Sequence, residues 1–206
     1  MGDSLAALVW LSRQAQGHKV VVWGHSMGAA VAGQVMARSK VRVHTLVLES
    51  PFNNLAEEVH QVMGQQAGGV KKLLLHLLPL SKLLRSADLS FRTDRVLASV
   101  KTPVLILHAE DDATIRLELS RKLLASAREG GKQDIRMEEF GADLGLGHNN
   151  IYRADKLREL LRVHLGLGDR PEEEGTKLLQ TGVTVSVEVE VKRRSCEPRG
   201  WPQEEL

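Results

Sequence analysis

The chain is poor in cysteine, in aromatic rings and in long apolar runs, and each shortage removes a class of protein. Cys196 is the only cysteine among 206 residues, which excludes an intramolecular disulfide. The histidines His18, His44, His60, His76, His108 and His164 show no metal-ligand spacing, and each reads most simply as solvated or at the edge of a core; no metal and no cofactor are expected. Aromatic residues make up 3% of the chain and the formal net charge is only +2, too few rings and too little charge for an extended nucleic-acid surface. The longest apolar tract, Leu73 to Leu80, contains His76 and Pro79. It is far shorter than the roughly 20 residues that span a bilayer, so no transmembrane segment is expected. Met1-Gly2-Asp3 carries an acid where a signal peptide would carry basic residues, so none is expected there either. The expected chain is soluble or peripheral to a membrane.

What remains is the composition of a globular domain, 42% apolar and 26% charged, on a chain long enough for one core. Its most informative stretch is VVVWGHSMGAAVAG. Lys19 to Trp23 reads as a strand covered on both faces, and Ala29 to Arg38 reads as a helix. Between them Gly24-His25-Ser26-Met27-Gly28 fits G-x-S-x-G. A nucleophile at the tip of a tight strand-to-helix turn takes strained backbone angles, so its neighbours two before and two after must be tiny. Ala29, Ala30, Ala32 and Gly33 let the helix lie close to the sheet. The helix N-terminus points backbone N–H groups at negative charge developing near Ser26. The pentapeptide alone is a weak signal; the strand before it and the helix after it make it a strong one.

A serine nucleophile needs a base, and the base needs an orienting acid. Pro103 to Leu107 is a second buried-type strand that runs into His108-Ala109-Glu110-Asp111-Asp112. An acid just past the C-terminal end of a parallel strand shares a rim with the serine turn. A helical segment from Leu117 to Arg128 and a strand from Asp134 to Phe140 follow. The glycine-rich loop of residues 141–147 then leads to His148 on the same rim. Glu110, Asp111 and Asp112 stand side by side as candidates for the acid. A surface loop histidine is the competing reading of His148, and His25 reads as a packing or hydrogen-bonding residue.

GHSMG, LESPF, LILHAEDD and DLGLGHNNIY resemble, in order, motifs of the α/β-hydrolase-domain lipases that cleave lysophosphatidylserine and monoacylglycerols at the endoplasmic reticulum membrane. The resemblance covers roughly residues 3 to 166. It implies Ser26 as nucleophile, Asp112 as triad acid, His148 as general base and the backbone N–H of Met27 as one oxyanion donor. It further implies the C-terminal half of an α/β-hydrolase fold: a mostly parallel sheet of about four strands, near 19–23, 43–49, 103–108 and 134–140, with helices on its faces and a small helical cap. The domain is expected at 3–168, with a cap insert at 53–100 and a divergent, disordered tail at 169–206.

In the family the serine turn follows several strands, whereas here it comes early. The strands before it and the loop supplying a second oxyanion donor are expected to be missing, leaving the valines of residues 20–22 on an open edge. Loss of one donor costs about 10²–10³ in rate. Two readings therefore stand. One is a serine hydrolase acting on lipid esters, with a general carboxylesterase or thioesterase as its variant. The other is a catalytically silent truncated isoform or interaction module. In the cap, residues 71–85 are leucine-dense and lysine-flanked, suited either to acyl chains and lipid headgroups or to a helix in the cap's own core. In the tail, residues 181–191 alternate like an isolated strand.

Overall fold

The computed structural model describes residues 2–15, 18–53 and 92–167. The expected cap segment 71–85 and the tail from residue 169 lie outside them. The described chain alternates helix and strand: α1 (Gly2–Gln14), β1 (Val21–His25), α2 (Met27–Arg38), β2 (Thr45–Glu49), α3 (Thr93–Val96), β3 (Val104–Ala109), α4 (Leu117–Glu129), β4 (Ile135–Phe140) and α5 (Asp155–His164). The four strands form one sheet in the order β1-β2-β3-β4, every neighbour parallel. This is the expected layout, with each strand within two residues of its expected start.

Parallel strands need crossovers, and the crossovers cover both faces of a sheet. Thr45–Leu48 of β2 and all of β3 are accordingly buried, which is why both read as unbroken apolar runs. Their side chains alternate between two cores. Leu46, Leu48, Val104 and Ile106 face the side where Leu8 of α1, Val35 of α2 and Leu123 of α4 converge. Val47, Leu105 and Leu107 face the other side, against Leu157 of α5, Leu146 and Ile151. Each fully buried leucine or isoleucine stabilises the sheet by about 1.5–3 kcal/mol relative to exposure. β4 differs: only its end residues Ile135 and Phe140 are buried, and the charged centre suits an edge. Thr93 to Ser99, the end of the expected insert, packs with the main domain, where Leu97 and Val100 enter the first core.

Register brings the strand ends level. His25 pairs with Glu49, Glu49 with Leu107, and Ala109 with Phe140. Ser26, Ser50, Glu110 and Gly141 thus leave the sheet along one rim. Two of these carry the only non-glycine positive φ values among the described residues, Ser26 at 53° and Ser50 at 45°. Such angles cost of order 1–3 kcal/mol and persist only where the surroundings enforce them. At Ser26 the enforcement is a hydrogen bond from its N–H to the Glu49 carbonyl (2.9 Å) and the closeness of α2 to Gly24. A Cβ on Gly24 would collide with the Gly28 carbonyl oxygen and lie 2.7 Å from Ala29 Cα, all backbone that cannot step aside. Gly28 differs from the expectation: among the described residues a methyl there meets nothing within 4 Å. Its smallness is not required by the turn's own packing. Gly24→Ala is therefore expected to cost at least the 1–3 kcal/mol of an overpacked core, and Gly28→Ala less than about 1 kcal/mol. Chemical denaturation of the two variants checks this, and equal losses would contradict it.

Candidate active site

Ser26 occupies the N-cap position of α2, yet its side chain makes no capping hydrogen bond. A serine there ordinarily spends its oxygen on the N–H two or three residues on. Here φ of 53° and ψ of −121° turn the hydroxyl away from that role. The first-turn N–H of Met27 has no intrahelical acceptor, so it stays available to an anion beside Ser26.

Asp112 and His148 meet directly. Asp112 Oδ2 accepts a hydrogen bond from His148 Nδ1 at 2.7 Å, and the Asp112 side chain is fully buried while that of His148 is 11% exposed. Asp112 Oδ1 accepts from the backbone N–H groups of Thr114 (2.8 Å) and Ile115 (2.9 Å). Burial alone would raise the pKa of this carboxyl. Hydrogen bonds from His108 and His148, with the Ile115 N–H, outweigh burial and hold it well below the ordinary carboxylate range. The carboxylate is thus ionised at neutral pH, and His148 presents its Nδ1–H to it. That leaves Nε2 as the free lone pair of a neutral ring.

Asp111 is not the partner of His148. Its Oδ2 accepts the N–H of Gly147 at 2.9 Å. Glu110 Oε2 in turn accepts the N–H of Ala142 at 3.2 Å. Three consecutive acidic residues therefore grip one loop at three places: its start, Gly147 and His148. The loop needs a left-handed residue to bring that N–H round, and Gly147 supplies it with φ of 53°. Buried Leu146 and Ile151 anchor the loop on either side of His148.

Ser26 reaches the same rim. The ring of its chain neighbour His25 lies 4.8 Å from the His148 ring, tilted by 47°, and His25 Nε2 is 2.9 Å from the His148 carbonyl oxygen. His25 thereby donates to the His148 backbone, the bonding role expected for it. No hydrogen bond joins Ser26 to His148 among the described residues. Catalytic hydrogen bonds are often long in ligand-free sites and tighten on substrate binding.

One residue departs from its expected setting. His108 is neither solvated nor at a core edge: it is fully buried, and its Nε2 lies 3.4 Å from Asp112 Oδ2. The signal was its place at the end of a buried strand, four residues before the acid. Among the described residues no group of three or more metal-ligating side chains gathers, and no helix is long and apolar enough to cross a membrane.

A parallel sheet with a serine turn, an acidic residue and a histidine at one rim defines the fold: the described residues adopt part of an α/β-hydrolase fold. Residues 2–96 match the family model described as serine aminopeptidase, S33. Among particular relatives the chain is similar to the lysophosphatidylserine lipase ABHD12 of Xenopus tropicalis, 33% identical over 174 residues. That match covers 80% of this chain and 44% of the relative, so the chain spans less than half the relative's length. Solved structures agree on the fold. A Pyrococcus furiosus esterase superposes with a TM-score of 0.53 at 18% identity, over 79% of this chain and 58% of that one. A Paleococcus ferrophilus monoacylglycerol lipase gives 0.50 at 16% identity, over 80% and 73%.

The depressed Asp112 carboxyl has a consequence for stability. Its folded-state pKa lies below the unfolded value near 3.9, so its contribution is complete above about pH 4 and is lost as the pH falls through the folded-state value. Asp112→Asn is expected to lower the unfolding free energy by on the order of 3 kcal/mol at pH 7, with the gap narrowing below about pH 4. Urea titrations across pH check this. A gap that does not change with pH would contradict it.

Proposed function

We propose that the chain is a serine hydrolase cleaving acyl esters of lysophospholipids or monoacylglycerols through an acyl-enzyme intermediate. The observation that carries the reading is the 2.7 Å hydrogen bond between buried Asp112 and His148 beside the Ser26 turn. Similarity to a lysophosphatidylserine lipase supplies the substrate class.

His148 Nε2 removes the Ser26 hydroxyl proton as Oγ attacks the ester carbonyl carbon. The imidazolium so formed is stabilised by Asp112, which remains a carboxylate. The carbonyl oxygen becomes an oxyanion, for which the Met27 N–H at the start of α2 is the proposed donor. Collapse of the tetrahedral intermediate breaks the bond to the leaving alcohol, and His148 returns the proton to it. Water then repeats the sequence on the acyl-enzyme: His148 takes a proton from it, the fatty acid departs, and Ser26 Oγ recovers its hydrogen.

Asp112 matters here beyond charge. An asparagine could offer its N–H to His148 Nδ1 and stabilise the tautomer whose Nε2 is already protonated. That change costs about 10⁴ in kcat in a serine protease triad. Hydrolysis of lysophosphatidylserine, a long-chain monoacylglycerol and a short p-nitrophenyl ester by the purified chain tests the proposal. The expected result is turnover that vanishes in Ser26→Ala and falls about 10⁴-fold in Asp112→Asn. Turnover of every ester unchanged by Ser26→Ala, or none at all by the folded chain, would overturn it in favour of a silent module.

A further inference from the structure

The proposed mechanism leaves His108 unused, although it is the largest polar side chain that the described core buries completely. Burying an imidazole is unfavourable unless its nitrogens find partners, and a leucine would fill such a space at lower cost. Both nitrogens of His108 do find partners. Nδ1 is 2.6 Å from Ser120 Oγ on α4, and Ser120 Oγ is in turn 2.8 Å from the Pro51 carbonyl oxygen. Nε2 is 2.9 Å from the Ile115 carbonyl oxygen and 3.4 Å from Asp112 Oδ2. The Ile115 carbonyl can only accept, so Nε2 must carry the hydrogen. That one N–H is shared between Ile115 and the carboxylate. The turn is held twice, since the Ile115 N–H donates to Asp112 Oδ1 while its carbonyl accepts from His108.

We propose that His108 is a positioning residue for Asp112: aimed by Ser120 and Pro51, its Nε2–H fixes the carboxylate's rotamer and charge so that Oδ2 faces His148. The catalytic consequence rests on the reading of Asp112 and His148 as an acid–base pair; the positioning itself does not. The array spans four parts of the fold, from the end of β2 through α4 and the end of β3 to the acid-bearing turn. The lowered pKa of Asp112, to which His108 contributes a hydrogen bond, accords with it. Other titratable groups near the array are His148 from the loop after β4, Glu110 and Asp111 on the same turn, and Glu139, the β4 register partner of His108, whose carboxylate is paired with Arg121.

A carbon-13 NMR titration of the Asp112 carboxyl between about pH 3 and 6, spanning the ordinary carboxylate value, tests the proposal. Wild type, His108→Leu and His108→Gln are compared. The wild-type signal is expected to remain that of a carboxylate. His108→Leu brings protonation up into the measured range, and His108→Gln, whose amide N–H can reach the same acceptors, restores most of the wild-type behaviour. A role in packing alone would leave the titration unmoved. In the hydrolysis assay His108→Leu is expected to lower kcat about 10- to 100-fold at unchanged KM, since displacing a catalytic group by about 1 Å can cost on the order of 10². A folded His108→Leu chain with wild-type titration overturns the proposal. If that chain does not fold, Ser120→Ala replaces it: loss of the ring's anchor should raise the Asp112 titration partway, and no change overturns the proposal. Absence of hydrolysis by wild type would defeat the serine-hydrolase reading alone, because the NMR titration decides the role of His108 without turnover.

Discussion

A single buried carboxylate organises the rim of this sheet. Asp112 accepts from His148 on one oxygen and from two backbone N–H groups on the other, while His108 approaches from behind. Charge buried to this depth is tolerable only when its lone pairs are met by donors. The surrounding chain is shaped to supply them. The turn after β3 curls so that Thr114 and Ile115 donate, and the loop after β4 bends through left-handed Gly147 so that His148 does. Were the carboxylate removed, the turn and the loop after β4 would lose one of the three contacts that join them.

The same rim holds Ser26 by a different means. No charge is involved there: crowding between Gly24 and the start of α2, with the Ser26 N–H bonded to Glu49, keeps a strained residue in place. Strain on the serine and charge on the acid are two ways of making side chains stand where unaided local preference would not put them. The parallel register of four strands brings them together, because every strand ends at the same level. His25 couples the halves, its ring beside that of His148 and its Nε2–H on the His148 carbonyl.

Much of this was legible in the residues. Strands covered on both faces announce themselves as unbroken apolar runs, so β2 and β3 could be read directly, and G-x-S-x-G fixed the turn between β1 and α2. The division of labour among Glu110, Asp111 and Asp112 was harder. Three adjacent acids look alike in sequence, and only the path of a loop some thirty residues later decides which N–H or ring each one meets. His108 was misjudged because burial of a polar ring depends on partners such as Ser120 and Pro51 that are distant in sequence. Among the described residues Gly24 is crowded and Gly28 is not, a difference that a motif with two small residues does not reveal. Strand edges shifted by a residue or two, as strand ends are set by pairing more than by composition.

The central claim is that this rim makes a reactive serine of Ser26. Exposure of the folded chain to a fluorophosphonate probe, followed by intact-mass and peptide analysis, tests it most directly. The account predicts one covalent adduct per chain, located on Ser26 and absent from Ser26→Ala. A folded chain that takes up no probe, or takes it up equally without Ser26, would contradict the account.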